Sequence, residues 1–246
     1  MGVIKAAIGD ALLTSMWVFI GPFLRVFTAI ISTFLGVQTI SLLALFISTI
    51  LNTFLVLIFS LIANFLGGAS FNPSATLSLY AAGLKPDASL MSMAVRFPAQ
   101  AAGGVGGVKA IMQFMPTQYK HMLRGPSLKV DLHTGAIVEG GLTFLRSFAL
   151  LVIMIKGPRS LFLKVWLVGV ATLGLIFAGS KYTGPSMNPA KAYGWAYLNN
   201  WHNTWELFYV YWISPLTGAV LASWLFQFLS ASLSTASRRK PKQIGM

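Results

Sequence analysis

Two short stretches place an Asn-Pro pair after a small-residue loop, in a chain that is otherwise strongly apolar. The first is Asn72-Pro73-Ser74 and the second is Asn188-Pro189-Ala190. Asn is a preferred N-cap and Pro is tolerated at the first helical position, so each stretch predicts the start of a helix. Free N–H groups and the macrodipole give such a start a partial positive charge, which repels cations and tolerates neutral molecules. The amides of Asn72 and Asn188 also supply N–H donors.

The apolar runs that follow these two helix starts are short. They cover residues 75–82 and 192–198, whereas a helix needs about 20 residues to cross the roughly 30 Å hydrocarbon core of a bilayer. Two half-helices at corresponding places in two halves of a chain are the best sequence indication of a membrane binding or conduction site.

The composition is that of a multi-pass membrane protein. Of the 246 residues, 56% are hydrophobic and only 9% are charged, and the mean hydropathy is +0.72. The net charge of +13 lies in the loops and the tail, which indicates membrane orientation and excludes nucleic acid as a partner. Without Cys, and with His121, His133 and His202 far apart, the sequence predicts neither a metal site nor a cofactor.

Six apolar segments are long enough to span a bilayer. They cover approximately residues 6–35, 39–63, 89–115, 132–155, 161–179 and 205–229. The sequence therefore predicts an all-α membrane protein with six transmembrane helices and two re-entrant half-helices. It forms one domain over residues 1–246, with repeat one at about 6–115, repeat two at about 132–230 and a basic tail at 231–246.

The two halves carry matching motifs in the same order. Asp10-x-x-x-Thr14 matches Glu139-x-x-x-Thr143, and the two Asn-Pro motifs match each other. Gln100-Ala101-Ala102-Gly103 matches Pro215-Leu216-Thr217-Gly218. Because a three-span unit reverses its direction when repeated, the second copy must be inserted upside down, with a pseudo-two-fold axis in the membrane plane.

The positive charges favour one orientation of the chain. Six spans put both termini on one side, and the loops and tail of that side hold nine of the 18 Lys and Arg residues. The loops of the opposite side offer mainly Lys120, Arg124 and Lys129. By the positive-inside rule, both termini are cytoplasmic.

The paired Asn-Pro loops, the carboxylate-x-x-x-Thr pairs and the segment Tyr182–Ala190 resemble the aquaporin, or major intrinsic protein, family over residues 6–230. High basicity, a short N-terminus, Ser74 in the first motif and the segment Gly194–Tyr197 are similar to the plant small basic intrinsic proteins. The resemblance implies a passive channel for water and other small neutral solutes, with no covalent chemistry. It also implies a homotetramer, in contact with membrane lipid, in the endoplasmic reticulum membrane.

Asp10 and Glu139 are carboxylates within the predicted spans, where an unpaired charge is costly and therefore marks a functional candidate. By the resemblance, they accept hydrogen bonds from the re-entrant loops, so that loop carbonyls face the pore. A proton relay is the other role open to them. Asp10 is one methylene shorter than the Glu usual at this position.

By the same resemblance, four residues form the outer constriction of the pore: Asn52, Ile176, Pro185 and Lys191. Many water-selective relatives carry an aromatic residue, a His and an Arg there, and this chain has none of the three. Lys191 supplies a flexible point charge in place of a rigid guanidinium, and that charge still opposes cations.

Two other classes of protein remain open from the sequence. A secondary transporter would share the inverted repeat, although its ion sites need more than two carboxylates within the membrane. A non-conducting membrane protein derived from a channel is compatible with the altered constriction. An enzyme is not expected, because no nucleophile–base pair or metal cluster lies within the spans.

Overall fold

The computed structural model describes residues 2–38, 41–85 and 89–238, with side chains as far as residue 231. The predicted basic tail therefore lies outside the described residues from position 239 onward. The helices are α1 (Val3–Phe34), α2 (Leu42–Phe65), α3 (Pro73–Ala81), α4 (Leu90–Phe114), α5 (Leu132–Lys156), α6 (Leu161–Gly179), α7 (Pro189–Leu198), α8 (Trp205–Phe208) and α9 (Ser214–Arg238). A 3₁₀ turn at Thr117–Met122 lies between α4 and α5, and a π turn at Tyr209–Ile213 joins α8 to α9.

These elements confirm the predicted architecture of six membrane-spanning helices and two half-helices. The spans are α1, α2, α4, α5, α6 and the continuous α8–α9 segment, and the half-helices are α3 and α7. Each half-helix follows the second span of its repeat and precedes the third. The 3₁₀ turn at Thr117–Met122 was not predicted, because the sequence there reads only as a polar link between the halves.

One span, α4, is less apolar than the other five. By length and composition alone, α1, α2, α5, α6 and the α8–α9 segment are suited to cross a membrane. With 25 residues, α4 is long enough, but it carries Arg96, Lys109 and many small residues. Arg96 is buried in the bundle, 5% exposed, so its charge does not face lipid.

The outer surface of the bundle is apolar and its centre holds polar groups. Large apolar side chains such as Leu61, Ile137 and Phe177 are 70–75% exposed, whereas Asp10 and Glu139 are fully buried. This arrangement suits a protein surrounded by hydrocarbon, where polar side chains face the bundle interior.

Close backbone contacts join α1 to α4 and α5 to α9 at matching places in the two halves. A Cβ atom added to Gly103 would overlap the carbonyl oxygen of Ala11, and one added to Gly218 would overlap that of Gly140. Ala11 and Gly140 each directly follow one of the two matched carboxylates. The contacts therefore repeat with the sequence motifs, as an inverted repeat requires.

The half-helices pack crosswise, each against a span of the other half. Half-helix α7 lies on α4, where Gly104 and Gly194 allow the two backbones to approach each other. Half-helix α3 lies on α9, where the Ser223 hydroxyl donates to the Ser78 carbonyl at 2.8 Å. The two halves therefore form one body.

The π turn at Tyr209–Ile213 has a local cause. Pro215 has no N–H to donate to the carbonyl of Tyr211, and its ring would clash with that carbonyl in a regular helix. The wider turn accommodates the ring without ending the span.

The contact at Gly103 predicts that G103A destabilises the fold. The added methyl group must displace the Ala11 carbonyl, at a cost of about 1–3 kcal/mol. The melting temperature of the detergent-solubilised protein, monitored by size-exclusion chromatography after heating, measures the effect. The matched control is G141A, since a Cβ atom there meets nothing within 4 Å. Equal melting temperatures for the two variants would contradict the tight α1–α4 contact.

Candidate functional site

The two half-helices begin where the Asn-Pro spacing predicts, because each Asn caps its own helix. The Asn72 side-chain oxygen accepts a hydrogen bond from the Ser74 backbone N–H at 2.9 Å. The Asn188 side-chain oxygen accepts from the N–H groups of Ala190 and Lys191, at 3.1 and 3.3 Å. Pro73 and Pro189 occupy the first helical positions, where no N–H is needed.

The two Asn side chains also join the loops to each other. Asn72 Nδ2 donates to the Met187 carbonyl at 3.0 Å, and Asn188 Nδ2 donates to the Phe71 carbonyl at 2.9 Å. Met187 and Phe71 directly precede the opposite Asn. The bonds are thus reciprocal, and they hold the N-terminal ends of α3 and α7 together inside the bundle.

Asp10 holds the first loop and is itself paired. Its carboxylate accepts the backbone N–H of Ser70 at 2.7 Å, as expected for a carboxylate that supports a re-entrant loop. Arg96 makes a bidentate ion pair with the same carboxylate, with both N–O distances at 2.7 Å. Gln100 donates a further hydrogen bond at 2.7 Å. The carboxylate is therefore fully bonded inside the bundle, with an opposite charge in contact and without exposure to lipid.

Glu139 holds the second loop, and it has no cationic partner in direct contact among the residues that the structure describes. Its carboxylate accepts the backbone N–H groups of Ser186 and Met187 and the hydroxyl of Thr183. The Tyr211 hydroxyl donates to the Thr183 carbonyl at 2.8 Å, which adds a second layer to this network. By the motif alignment, Tyr211 corresponds to Arg96. The two halves therefore support matching loops with different chemistry.

Met187 is the point of strain in the second loop. Its φ of 47° lies in the left-handed region, which is unfavourable for a residue with a long side chain. Glu139 binds its N–H, Asn72 binds its carbonyl, and its side chain is 1% exposed. These contacts hold the backbone in this conformation, which points the carbonyl at the first half-helix.

Of the four residues predicted for the outer constriction, Asn52 lies on α2 in the first half and the other three lie in the second half. Pro185 is buried against Gly179, at the end of α6, and Ile176 lies one turn earlier on the same helix. Asn52 meets α6 deeper in the bundle, with its Nδ2 atom 3.3 Å from a Cβ atom built on Gly169. Gly169 precedes Ile176 by seven residues, about 10 Å along a helix axis. No hydrogen bond joins Asn52 to the other three among the described residues.

Lys191 lies in the first turn of α7, half-buried, directly after the second Asn-Pro motif. Its ammonium makes no hydrogen bond within the described part of the chain. It interacts electrostatically with Arg25 and with Glu139. Arg25 donates to the Arg124 carbonyl at 3.1 Å, and so ties α1 to the segment between the halves. Positive charge is thus concentrated on this side of the two Asn residues.

Sequence reasoning did not identify Gln100 and Tyr211 as parts of this site, or Asp10 as the partner of Arg96. Arg96 and Gln100 are four residues apart, on one face of α4, and Asp10 is a lone carboxylate in another span. That combination was the available signal for the ion pair. Among the residues that the structure describes, no three His, Cys, Asp or Glu side chains lie together as metal ligands would.

The Asp10–Arg96 pair predicts a large effect for R96M. Removal of the guanidinium leaves a buried carboxylate without its counter-charge, which costs about 3–5 kcal/mol. Thermal unfolding in detergent is expected to show a clear fall in melting temperature, and the double variant D10N/R96M is expected to recover part of it. R159M, in an exposed loop, is the control. A melting temperature for R96M equal to that of R159M would refute the structural role of the pair.

A family model for the major intrinsic proteins matches residues 1–226 of the chain. Two plant relatives are similar over nearly their whole length. Aquaporin SIP1-1 of Zea mays is 53% identical over 225 residues, which are 91% of each chain. Aquaporin SIP1-1 of Oryza sativa subsp. japonica is 51% identical over 229 residues, 92% of this chain and 93% of the relative.

The fold is also similar to that of a solved structure. The X-ray structure of the aquaglyceroporin from Plasmodium falciparum superposes with a TM-score of 0.70 and covers 96% of this chain and 100% of the other. At 18% identity, this likeness concerns the fold alone. By its family model and its relatives, the chain belongs to the major intrinsic protein family of membrane channels, in the small basic intrinsic protein subfamily.

Proposed function

We propose that the chain is a passive channel for water and other small neutral solutes, which excludes ions and protons where its two half-helices meet. The observation that carries the proposal is the reciprocal pair of bonds from Asn72 to Met187 and from Asn188 to Phe71. These bonds fix two positive helix ends against each other at the centre of the bundle. Half-helix dipoles, lining donors and pore diameter are the means by which aquaporin-type pores select.

The pore motifs of this proposal are Asn72-Pro73-Ser74 and Asn188-Pro189-Ala190. An Asn amide carries two N–H bonds, and each Nδ2 atom uses one of them to reach the opposite loop. The second N–H of each amide donates to the oxygen of a solute at the midplane. Asp10 and Glu139 support the loops by accepting their backbone N–H groups, which leaves loop carbonyls free to face the pore.

For the outer constriction we propose Asn52, Ile176, Pro185 and Lys191. Pro185 and Ile176 are close together near the end of α6 and make that wall apolar. Lys191 adds a positive charge there, which opposes cations. The deeper contact of Asn52 at Gly169 makes its wall of the pore polar below this level.

We further propose that residues 1–246 form one channel domain, with repeats at about 6–115 and 132–230. By the resemblance to aquaporins, it forms a homotetramer in contact with lipid, and by the resemblance to the small basic intrinsic proteins it lies in the endoplasmic reticulum membrane. Both termini are cytoplasmic, since nine Lys and Arg residues lie in the loops and tail of that side and the opposite loops hold mainly Lys120, Arg124 and Lys129.

Stopped-flow light scattering of proteoliposomes after an osmotic step tests the proposal. We expect shrinkage clearly faster than that of empty liposomes, with a low activation energy, because water then crosses a pore and not the hydrocarbon. Size-exclusion chromatography of the extracted protein is the control for folding and insertion. No acceleration with folded protein would refute the water channel and favour the non-conducting alternative. Dependence of uptake on a counter-ion would instead indicate a secondary transporter.

N188D tests the position of the ion barrier. The substitution places a carboxylate between the two positive helix ends and removes the donor to Phe71, so we expect leaks of protons and cations to rise. A pH-sensitive dye and a potassium-sensitive dye in proteoliposomes measure these leaks. N199D, at the far end of α7, makes the same chemical change away from the helix start. Unchanged water flux and unchanged leaks in N188D would contradict this position of the barrier.

A further inference from the structure

Arg146 lies in α5, two helical turns beyond Glu139. Their separation of seven residues corresponds to about 10 Å along the helix axis. At this depth α5 runs beside the first half-helix, because Leu151 and Phe148 pack against Ala82 and Leu79 near the end of α3. Arg146 therefore lies within the span. The second re-entrant loop, which Glu139 binds, separates it from Lys191 and the outer constriction.

The neighbours of Arg146 on α5 show which way its side chain points. At 100° per residue, Arg146 lies between the directions of Glu139 and Leu142. Glu139 contacts the second re-entrant loop, and Leu142 contacts α6 at Gly179. Among the exposed residues of α5, Ile137, at 75% exposure, is about 180° from Arg146, and Leu145, at 51%, is about 100° from it. Arg146 thus points into the bundle.

Arg146 has no partner of its own there. Among the described residues it makes no hydrogen bond and no ion pair, and its Nη1 atom is enclosed. Arg96, by contrast, is paired with Asp10, and Arg25 donates to a carbonyl. A guanidinium that points inward at this depth and lacks a protein partner needs water to hydrate its charge.

The residue of the first repeat that corresponds to Arg146 faces the re-entrant loops. Seven residues after Asp10, the matching place is occupied by Trp17. The Trp17 ring stacks on Phe71, with centroids 4.3 Å apart, directly before Asn72 in the sequence. The position seven residues after each carboxylate thus faces the bundle centre. It holds an aromatic ring in the first half and a cation in the second.

We propose that the Arg146 guanidinium lines the water-filled path between the Asn-Pro motifs and the membrane face opposite Lys191, and is a second cation barrier there. The inference rests on the proposed pore, and it adds a selectivity residue outside the predicted constriction. The positive helix ends lie between Lys191 and Arg146, so a cation meets positive charge at three successive depths. The guanidinium also donates hydrogen bonds to the oxygens of passing solutes.

Because the chain contains no Cys, a single R146C substitution gives a unique site for labelling. The probe is the anionic, membrane-impermeant thiol reagent methanethiosulfonate ethylsulfonate, applied to both faces of proteoliposomes. We expect a mass increase in R146C and a severalfold loss of its water permeability. I137C, on the lipid face, is the matched control and is expected to remain unlabelled and fully permeable. R159C, in an exposed loop, is expected to be labelled without a change in permeability.

The outcomes separate this inference from the proposed function. If wild-type protein conducts water and R146C is neither labelled nor blocked, while R159C is labelled, the inference is wrong and the channel stands. Labelling of R146C without loss of flux also overturns it, since the side chain then faces water outside the path. If wild-type protein does not conduct, the proposed function fails, and labelling of R146C alone still reports water at this depth.

A charge series provides a second test that does not depend on the cysteine variant folding. Sodium leak is measured in R146K, R146Q and R146E, each checked by size-exclusion chromatography. We expect the leak to stay near the wild-type value in R146K and to rise severalfold from R146Q to R146E. Equal sodium leaks in the three variants would refute the barrier.

Discussion

Two loops without regular structure lie at the centre of this bundle, where their backbone polar groups have few water molecules to bind. Irregular backbone at membrane depth is tolerated only where protein or a water-filled cavity satisfies it. Here Asp10 and Glu139 accept the loop N–H groups, the two Asn side chains cap the half-helices, and their amides bind the opposite loop carbonyls. The geometry of any central path therefore depends on four polar side chains, each of them buried.

The two halves meet this constraint in different ways. Asp10 is short, and the Arg96 fork and Gln100 amide occupy the acceptor sites that its single loop contact leaves free. Glu139 is longer and accepts two backbone N–H groups and the Thr183 hydroxyl, so it needs no guanidinium in contact. The consequence is an uneven charge distribution. In the first half, Arg96 neutralises the charge of the carboxylate that binds the loop. In the second half, Lys191 and Arg146 have no ion pair among the described residues.

Much of the fold follows from local sequence, and the site follows only in part. Helix α6 has the predicted bounds, and both half-helices start at the Asn-Pro pairs, because capping and apolar length are local properties. The partner of Asp10 is 86 residues away, and the amide of Asn72 reaches 115 residues along the chain. Such pairings depend on how the spans pack. The depth of Asn52 likewise depends on how α2 is aligned with α6. The spacing of residues within one helix does not determine that alignment.

The crosswise packing of the half-helices has a consequence for how the chain is made. A ribosome delivers α3 well before α9, which follows every other described helix in the chain. Until α9 arrives, Ser78 lacks the hydroxyl of Ser223, and until the second loop arrives the Asn72 amide lacks the carbonyl of Met187. The first half alone is therefore an incomplete membrane intermediate, which holds its loop through Asp10 but lacks these partners from the second half. The centre is therefore completed only when both halves are in the membrane, and a chain cut short after the first repeat lacks both bonds between the two loops.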